Sequence, residues 1–255
     1  MANIQTPCLI LAAGNGRRIM PHSGGTPKPL VHLHGVPLLE HVLLAAKEAG
    51  VRRFVIVVGY RGASIRQWLA RRNFRDIEVT CVENSDYHKD NGVSVLRARD
   101  YLSRPFLLVM SDHIFEPATA RAIITQSFGD DQVILGVDSK IGQVFDLDDA
   151  TKVRRDGDHI VDIGKNLTHY DALDTGMFYC RPSLFGTLDS AMTNGNCSLS
   201  DGMRKLSQRG LFRAFDIGGA RWQDVDTPDA LAYAEANFRR DFGRAPVAGI
   251  STRAA

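Results

Sequence analysis

Gly14-Asn15-Gly16, followed by Arg17, Arg18 and Lys28, is the stretch of this sequence best equipped for chemistry. An apolar run, Cys8 to Ala13, precedes it and reads as a short buried strand. A strand that ends in a glycine turn leaves several backbone N–H groups uncovered. Such a concave set of amides binds phosphate oxygens, and nearby Arg and Lys add positive charge. Two other phosphate loops are excluded by spacing. A dinucleotide fingerprint needs a third glycine where Ile19 stands, and an acid after the second strand, where Val57-Val58-Gly59-Tyr60 supplies none. Gly24, Gly25 and Lys28 do not fit a P-loop. Elsewhere Asp112 follows the apolar run Pro105–Met110, and Asp224 and Asp226 lie in Trp222-Gln223-Asp224-Val225-Asp226-Thr227-Pro228. An Asp after a strand is often only a turn former, and one before Thr-Pro a helix cap. Two carboxylates with phosphate oxygens also suit Mg²⁺, which takes few protein ligands.

These residues need a scaffold, and the pattern provides one. Leu38 to Ala49 recurs at helical spacing after Pro37, and Gly50 stops it. Arg53–Gly59 reads as a parallel strand buried on both faces. Helix 63–72, strand 77–82, helix 94–102, strand 105–110, helix 117–128 and strand 132–137 continue the alternation. Such β-α units predict a mostly parallel central sheet with helices on both faces, an α/β fold. From about Phe145 the pattern changes. Asp156-Gly157-Asp158 separates two strand-like runs, 152–155 and 159–163, as a hairpin. A strand 174–180, helices 183–192 and 199–209, a strand 211–217, a loop 222–226 and a helix 228–242 complete the chain. We expect a single domain over 1–242, with a small β-rich subregion at about 140–210, and a flexible tail over 243–255. In an open parallel sheet, ligands bind beyond the carboxyl ends of the strands. Gly14–Lys28, Glu83–Gly92 and Asp112 should therefore meet there.

Composition narrows the classes. Hydrophobic content is 44%, charged content 24% and net charge +2, with no run of like charges. That argues against a nucleic-acid surface. The four cysteines show no C-x-x-C spacing, no apolar run approaches the ~20 residues of a bilayer span, and the N-terminus carries no signal pattern. The expectation is a cytoplasmic protein acting on small molecules. His32, His34, His88 and His169 lack metal-ligand spacing and read as structural.

The combination L-A-A-G-x-G, an arginine two residues on, and P-K-P-L about ten later resembles the signature loop of the nucleotidyltransferases that join an NTP to a sugar or polyol phosphate. The resemblance implies a Rossmann-like nucleotidyltransferase fold. It implies nucleotide binding by Leu11, Ala12, Ala13, Gly14, Asn15, Gly16 and Arg17, with Glu83, Asn91, Gly92 and Ser94 on the base and ribose. It carries metal binding, as Mg²⁺, onto Asp112 and Asp226. Arg18 and Lys28 would hold the triphosphate and stabilise leaving pyrophosphate. Lys165 would hold the acceptor phosphate, and Tyr170, Asp174, Thr175 and Gly176 the rest of the acceptor. Three pieces, M-S-D-H-I-F (110–115), N-G-V-S-V-L-R-A (91–98) and I-G-K-N-L-x-x-Y-D-A-L-D-T-G-M-F (163–178), look like the inositol-1-phosphate cytidylyltransferases. The sequence departs from that branch in carrying no membrane-embedded synthase, and from the wider family in having Arg17 where Thr or Ser is common.

The implied reaction is attack by the acceptor's phosphate on the α-phosphorus of CTP. A phosphate monoester is mostly dianionic at neutral pH, its second pKa being about 6, so no general base is required. Alternatives are a phosphocholine or phosphonate cytidylyltransferase, another sugar-1-phosphate nucleotidyltransferase, or a non-catalytic nucleotide-binding subunit. The last would have been favoured by loss of Lys28, Asp112 or Asp226, and all three are present.

Overall fold

The first strand, β1 (Cys8–Ala12), lies inside a nine-stranded sheet, third from one edge, and its alternation marks the two faces. Leu9, Leu11 and Ala13 enter one apolar cluster, while Cys8, Ile10 and Ala12 enter the other, as the period of two demands. On the first face lie α3 (Asn91–Leu96), α5 (Ser183–Ala191) and α6 (Leu199–Gln208). On the second lie α1 (Leu38–Glu48), α2 (Gly62–Ala70) and α4 (Pro117–Ile124). This computed structural model describes residues 6–19, 24–72, 74 and 76–238. The expected tail 243–255 and the last turn of the 228–242 helix lie outside the described residues.

Parallel pairing joins β5 (Glu78–Glu83), β4 (Arg53–Val58), β1 and β6 (Phe106–Met110) in that order. The sheet continues through β11 (Ala172–Cys180), β8 (Val133–Asp138), β12 (Phe212–Asp216), β10 (His159–Gly164) and β9 (Lys152–Asp156). Only β11 and β10 run against the others, so the sheet is mostly parallel in direction. β9 also pairs with the start of β11, which closes the last five strands on themselves. Arg155 secures the closure: its guanidinium donates to Asp171 at 2.9 Å and to the Ser139 hydroxyl at 3.0 Å, and meets Asp216 at 3.3 Å.

The 222–226 loop expectation is corrected. Trp222–Asp224 forms β13, paired antiparallel with β7 (His113–Phe115). Three-residue strands carry too little alternation to be read from sequence. A second two-stranded element, β2 (His32–Leu33) with β3 (Val36–Pro37), makes Pro37 a strand end rather than the first helical residue. The expected 94–102 helix starts earlier, at Asn91, and ends at Leu96 before a 3-10 turn. The final helix α7 (Pro228–Asn237) is capped by Thr227, whose hydroxyl accepts from the Ala230 amide at 3.1 Å. Asp226 is thereby released from that duty. A third apolar cluster, including Ile19, Val31, Ile114, Val225 and Phe238, fastens α7 and the β7–β13 pair beneath the glycine loop.

Candidate active site

The glycine loop leaves β1 directly into a cleft of about 810 Å³ at the carboxyl ends of the strands. Gly16 adopts φ +57°, and a Cβ there would stand 2.7 Å from the Lys28 Cβ. The loop therefore crosses the lysine stem at a distance only glycine permits. Lys28 opens a 3-10 turn between Pro27 and Pro29 and is only 7% exposed. Its ammonium contacts the carboxylates of Asp112 and Asp226 and lies 3.8 Å from Asp224 Oδ1.

The three acids arrive from two elements. Asp112 follows β6, and its carbonyl accepts from the Val225 amide at 3.1 Å, tying β6 to the segment after β13. Within the β7–β13 pair, His113 stands directly across from Asp224. The His113 Nδ1 lies 3.0 Å from Asp112 Oδ1. Burial alone would raise the Asp112 carboxyl, but the Lys28 charge and the His113 hydrogen bond outweigh it and hold the group well below the carboxylate range. Burial would lower His113; the charge of Asp224 and the bond to Asp112 instead push it up to about 9. Asp224 is raised, by burial first and then by the Asp112 charge. Its Oδ1 is buried without a hydrogen-bond partner. Carboxylates of Asp149, Asp224 and Asp226 converge, as do Asp112, His113 and Asp224. Hard oxygen donors with one buried oxygen unsatisfied fit a small divalent cation.

The opposite wall is built on β11. Its pairing with β8 slips between Asp174 and Phe178, and Gly176 takes φ +73° in the bulge. Asp174, Gly176 and Phe178 face the cleft at alternate positions. The Asp174 Oδ1 accepts from the Gly176 amide at 2.7 Å, and burial pushes its carboxyl up to about 6. Lys165, just beyond β10, is exposed and meets Asp149 Oδ1 at 2.7 Å. Arg18 contacts the other oxygen of Asp149 at 2.6 Å and also reaches Asp226. Asp149 thus joins a cation of the glycine loop to a cation of the far wall. Hydrogen bonds from both outweigh burial and keep it below its usual value.

Most of the expected residues gather here. Leu11, Ala13, Gly14, Asn15, Gly16, Arg17, Arg18, Lys28, Asn91, Ser94, Asp112, Lys165, Asp174, Gly176 and Asp226 all line the cleft. Others do not, and each has a physical reason. Ala12 points to the α1 face of the sheet. Thr175 has the wrong parity on β11, and its hydroxyl donates to the Gly136 carbonyl at 2.7 Å instead. Gly92 turns toward α6, where a Cβ would lie 2.6 Å from the Cys197 carbonyl. Glu83 points outward to Arg66 at 3.1 Å, and Tyr170 precedes β11 away from the cleft. Ser94, inside α3 rather than at its cap, accepts from the buried Asn84 amide at 3.0 Å. Asn91 Oδ1 accepts from the Leu199 amide at 2.8 Å. His113, Asp149 and Asp138 were missed. His113 sits in the M-S-D-H-I-F piece beside Asp112, the one signal that could have found it.

Residues 8–159 match the model of the MobA-like NTP transferase domain. The chain belongs to that family. Family membership makes it a nucleotidyltransferase. Among curated relatives, the bifunctional IPC transferase and DIPP synthase of Rubrobacter xylanophilus is 37% identical over 89% of this chain and 50% of its own length. The chain therefore spans about half of such relatives. The 2-aminoethylphosphonate cytidylyltransferase of Lancefieldella rimae is 33% identical over 60% of this chain and 61% of its own. Among solved structures, the inositol-1-phosphate CTP transferase from T. maritima superposes with a TM-score of 0.78 at 28% identity, covering 89% of this chain and 91% of that one. No helix among the described residues is long and apolar enough to cross a membrane.

Proposed function

We propose that this NTP transferase moves the cytidylyl group of CTP onto inositol 1-phosphate, giving CDP-inositol and pyrophosphate. The observation that carries the reading is the Lys28 ammonium set among Asp112, Asp224 and Asp226 on the cleft floor, directly beneath the glycine loop. The likeness to the inositol-1-phosphate CTP transferase from T. maritima supports cytidine and inositol as the pair.

One acceptor phosphate oxygen attacks the α-phosphorus in line; the new P–O bond forms as the α–β bridging bond breaks and pyrophosphate departs. The glycine-loop amides, Arg18 and Lys28 hold the triphosphate and take up the charge of the leaving group. Lys165 holds the acceptor phosphate, and the ionised Asp174 accepts hydrogen bonds from ring hydroxyls. Asp112 and Asp226, with Asp224 beside them, would hold Mg²⁺, which when bound neutralises phosphate charge between the two substrates. The four cysteines, none in a disulfide, accord with a cytoplasmic setting.

The L. rimae relative supports a second reading, an aminoalkyl phosphonate as acceptor. Aromatic side chains do reach the cleft, Phe145 stacking on Tyr233 with centroids 4.6 Å apart. The purified protein should be given each NTP with inositol 1-phosphate, 2-aminoethylphosphonate or phosphocholine while pyrophosphate release is followed. A site that hydrogen-bonds hydroxyls should favour inositol phosphate by at least ~10²-fold in kcat/KM. A preference for either amine-bearing acceptor would overturn the inositol reading.

A further inference from the structure

His113 is gripped from three sides, more than charge balance beside an acid requires. Its Nδ1 lies 3.0 Å from Asp112 Oδ1, whereas the other oxygen of that carboxylate faces Lys28. One face of the ring stacks on Trp222, with centroids 5.9 Å apart and planes inclined by 13°. The Trp222 indole N–H donates to Asp138 Oδ2 at 2.9 Å, and Asp138 Oδ1 in turn takes the Lys140 ammonium at 2.8 Å. The ring edge rests on the β11 bulge: a Cβ on Gly176 would stand 2.5 Å from His113 Cδ2 and 2.9 Å from Nε2. These contacts restrain the ring on one nitrogen, one face and one edge.

We propose that His113 is a positioning residue for nucleotidyl transfer, fixing Asp112 so that one oxygen alone faces the cation site and locking that acid to the Asp174–Gly176 bulge of the acceptor wall. A carboxylate with both oxygens free rotates and can chelate. One whose Oδ1 is held presents Oδ2 along a single line, as Mg²⁺ requires with its near-octahedral geometry. His113 belongs to β7, which Asp224 faces across the pair, so the same ring also spaces two of the three acids. Because Gly176 packs on the ring, the bulge that presents Asp174 is set by the residue that orients Asp112. The proposal rests on Asp112 being a cation and nucleotide group, as read above.

Two substitutions separate the hydrogen bond from the packing. His113→Phe keeps a ring against Trp222 and Gly176 but has no N–H. His113→Asn keeps an N–H near the Nδ1 position and loses the ring. Mn²⁺ affinity of the substrate-free protein, measured by electron paramagnetic resonance, should fall ~10–100-fold in His113→Phe, the usual range for groups that orient metal ligands. Turnover should fall in parallel, with acceptor KM held within about twofold. His113→Asn should regain most of the Mn²⁺ affinity and turnover while acceptor KM rises. Gly176→Ala, whose added methyl meets the His113 ring and none of the acids of the cation site, should weaken Mn²⁺ binding and acceptor use together, and it keeps the test open if a His113 variant does not fold. Native Mn²⁺ affinity in His113→Phe, no recovery in His113→Asn, or a Gly176→Ala protein altered only in acceptor KM would each overturn the proposal. Asp112→Asn is the control. If it too binds Mn²⁺ normally, the reading of Asp112 fails and takes the proposal with it; if only it loses Mn²⁺, the proposal alone falls.

Discussion

At the scale of single residues, Lys28 and Lys165 differ sharply in their surroundings, and the proposed roles differ with them. Lys28 is buried among three carboxylates, while Lys165 is exposed and shares Asp149 with Arg18. Lys28→Met should depress turnover with every acceptor. Lys165→Met should chiefly raise the acceptor KM. A charge-assisted hydrogen bond to phosphate contributes about 1.5–3 kcal/mol, so a ten- to hundredfold change is expected in steady-state kinetics. Asp174 makes a pH prediction. Its carboxyl is raised from 3.8 to about 6, so the folded state holds a proton that the unfolded chain has released. The stability this confers is complete below about pH 4 and is lost as the pH climbs through about 6. Thermal midpoints of Asp174→Asn, which cannot ionise, should lack that part of the decline. Lys28 was legible from its P-K-P-L pattern, and Asp112 because it stands just past an apolar strand. The roles of His113 and Asp149 were not: Asp224 lies 111 positions from His113 in sequence, and Arg18 131 from Asp149, distances that no local pattern spans.

At the scale of elements, short pieces do the aiming. The β7–β13 pair is three residues long on each side, yet it places Asp224, His113 and Trp222 together. The glycine loop depends on Gly16 in the same way. Gly16→Ala would set a side chain at φ +57° and push its Cβ into the Lys28 stem, 2.7 Å away. Nucleotide kcat/KM should fall at least tenfold, as expected when a positioned group shifts by a fraction of an ångström. The thermal midpoint should drop by several degrees, since the left-handed backbone alone costs an alanine about 1–2 kcal/mol and the contact with the Lys28 stem adds to it. The longer strands and α1 were legible because their apolar periods extend over six or more residues. Parity decided the details that were not: Thr175 and Ala12 sit one residue out of phase with the cleft, and the register of a bulged strand is fixed by its partners.

At the scale of the whole molecule, the five-strand closure carries the cleft wall that holds Asp174, Gly176 and Lys165, the wall proposed for the acceptor. Arg155 is its clasp, drawing Asp171, Asp216 and Ser139 together. Arg155→Ala should cost about 1–3 kcal/mol, read in urea unfolding, with nucleotide KM unchanged and acceptor KM raised as β10 and Lys165 lose their support. Neither the clasp nor the β9–β11 pairing was legible, because the hairpin they complete reads locally as two free strands. Closure has a further consequence for how the molecule meets its neighbours. A flat sheet offers two open flanks to which another chain can add a strand, but here the β9 flank is spent on β11. The other flank is β5, six residues long, with an acid at each end: Glu78 near Arg53 at 3.3 Å and Glu83 near Arg66 at 3.1 Å. Charged residues at the ends of such a flank disfavour its pairing with a copy of itself. The two flanks of the sheet are thus guarded against an added strand, one by topology and the other by two glutamates.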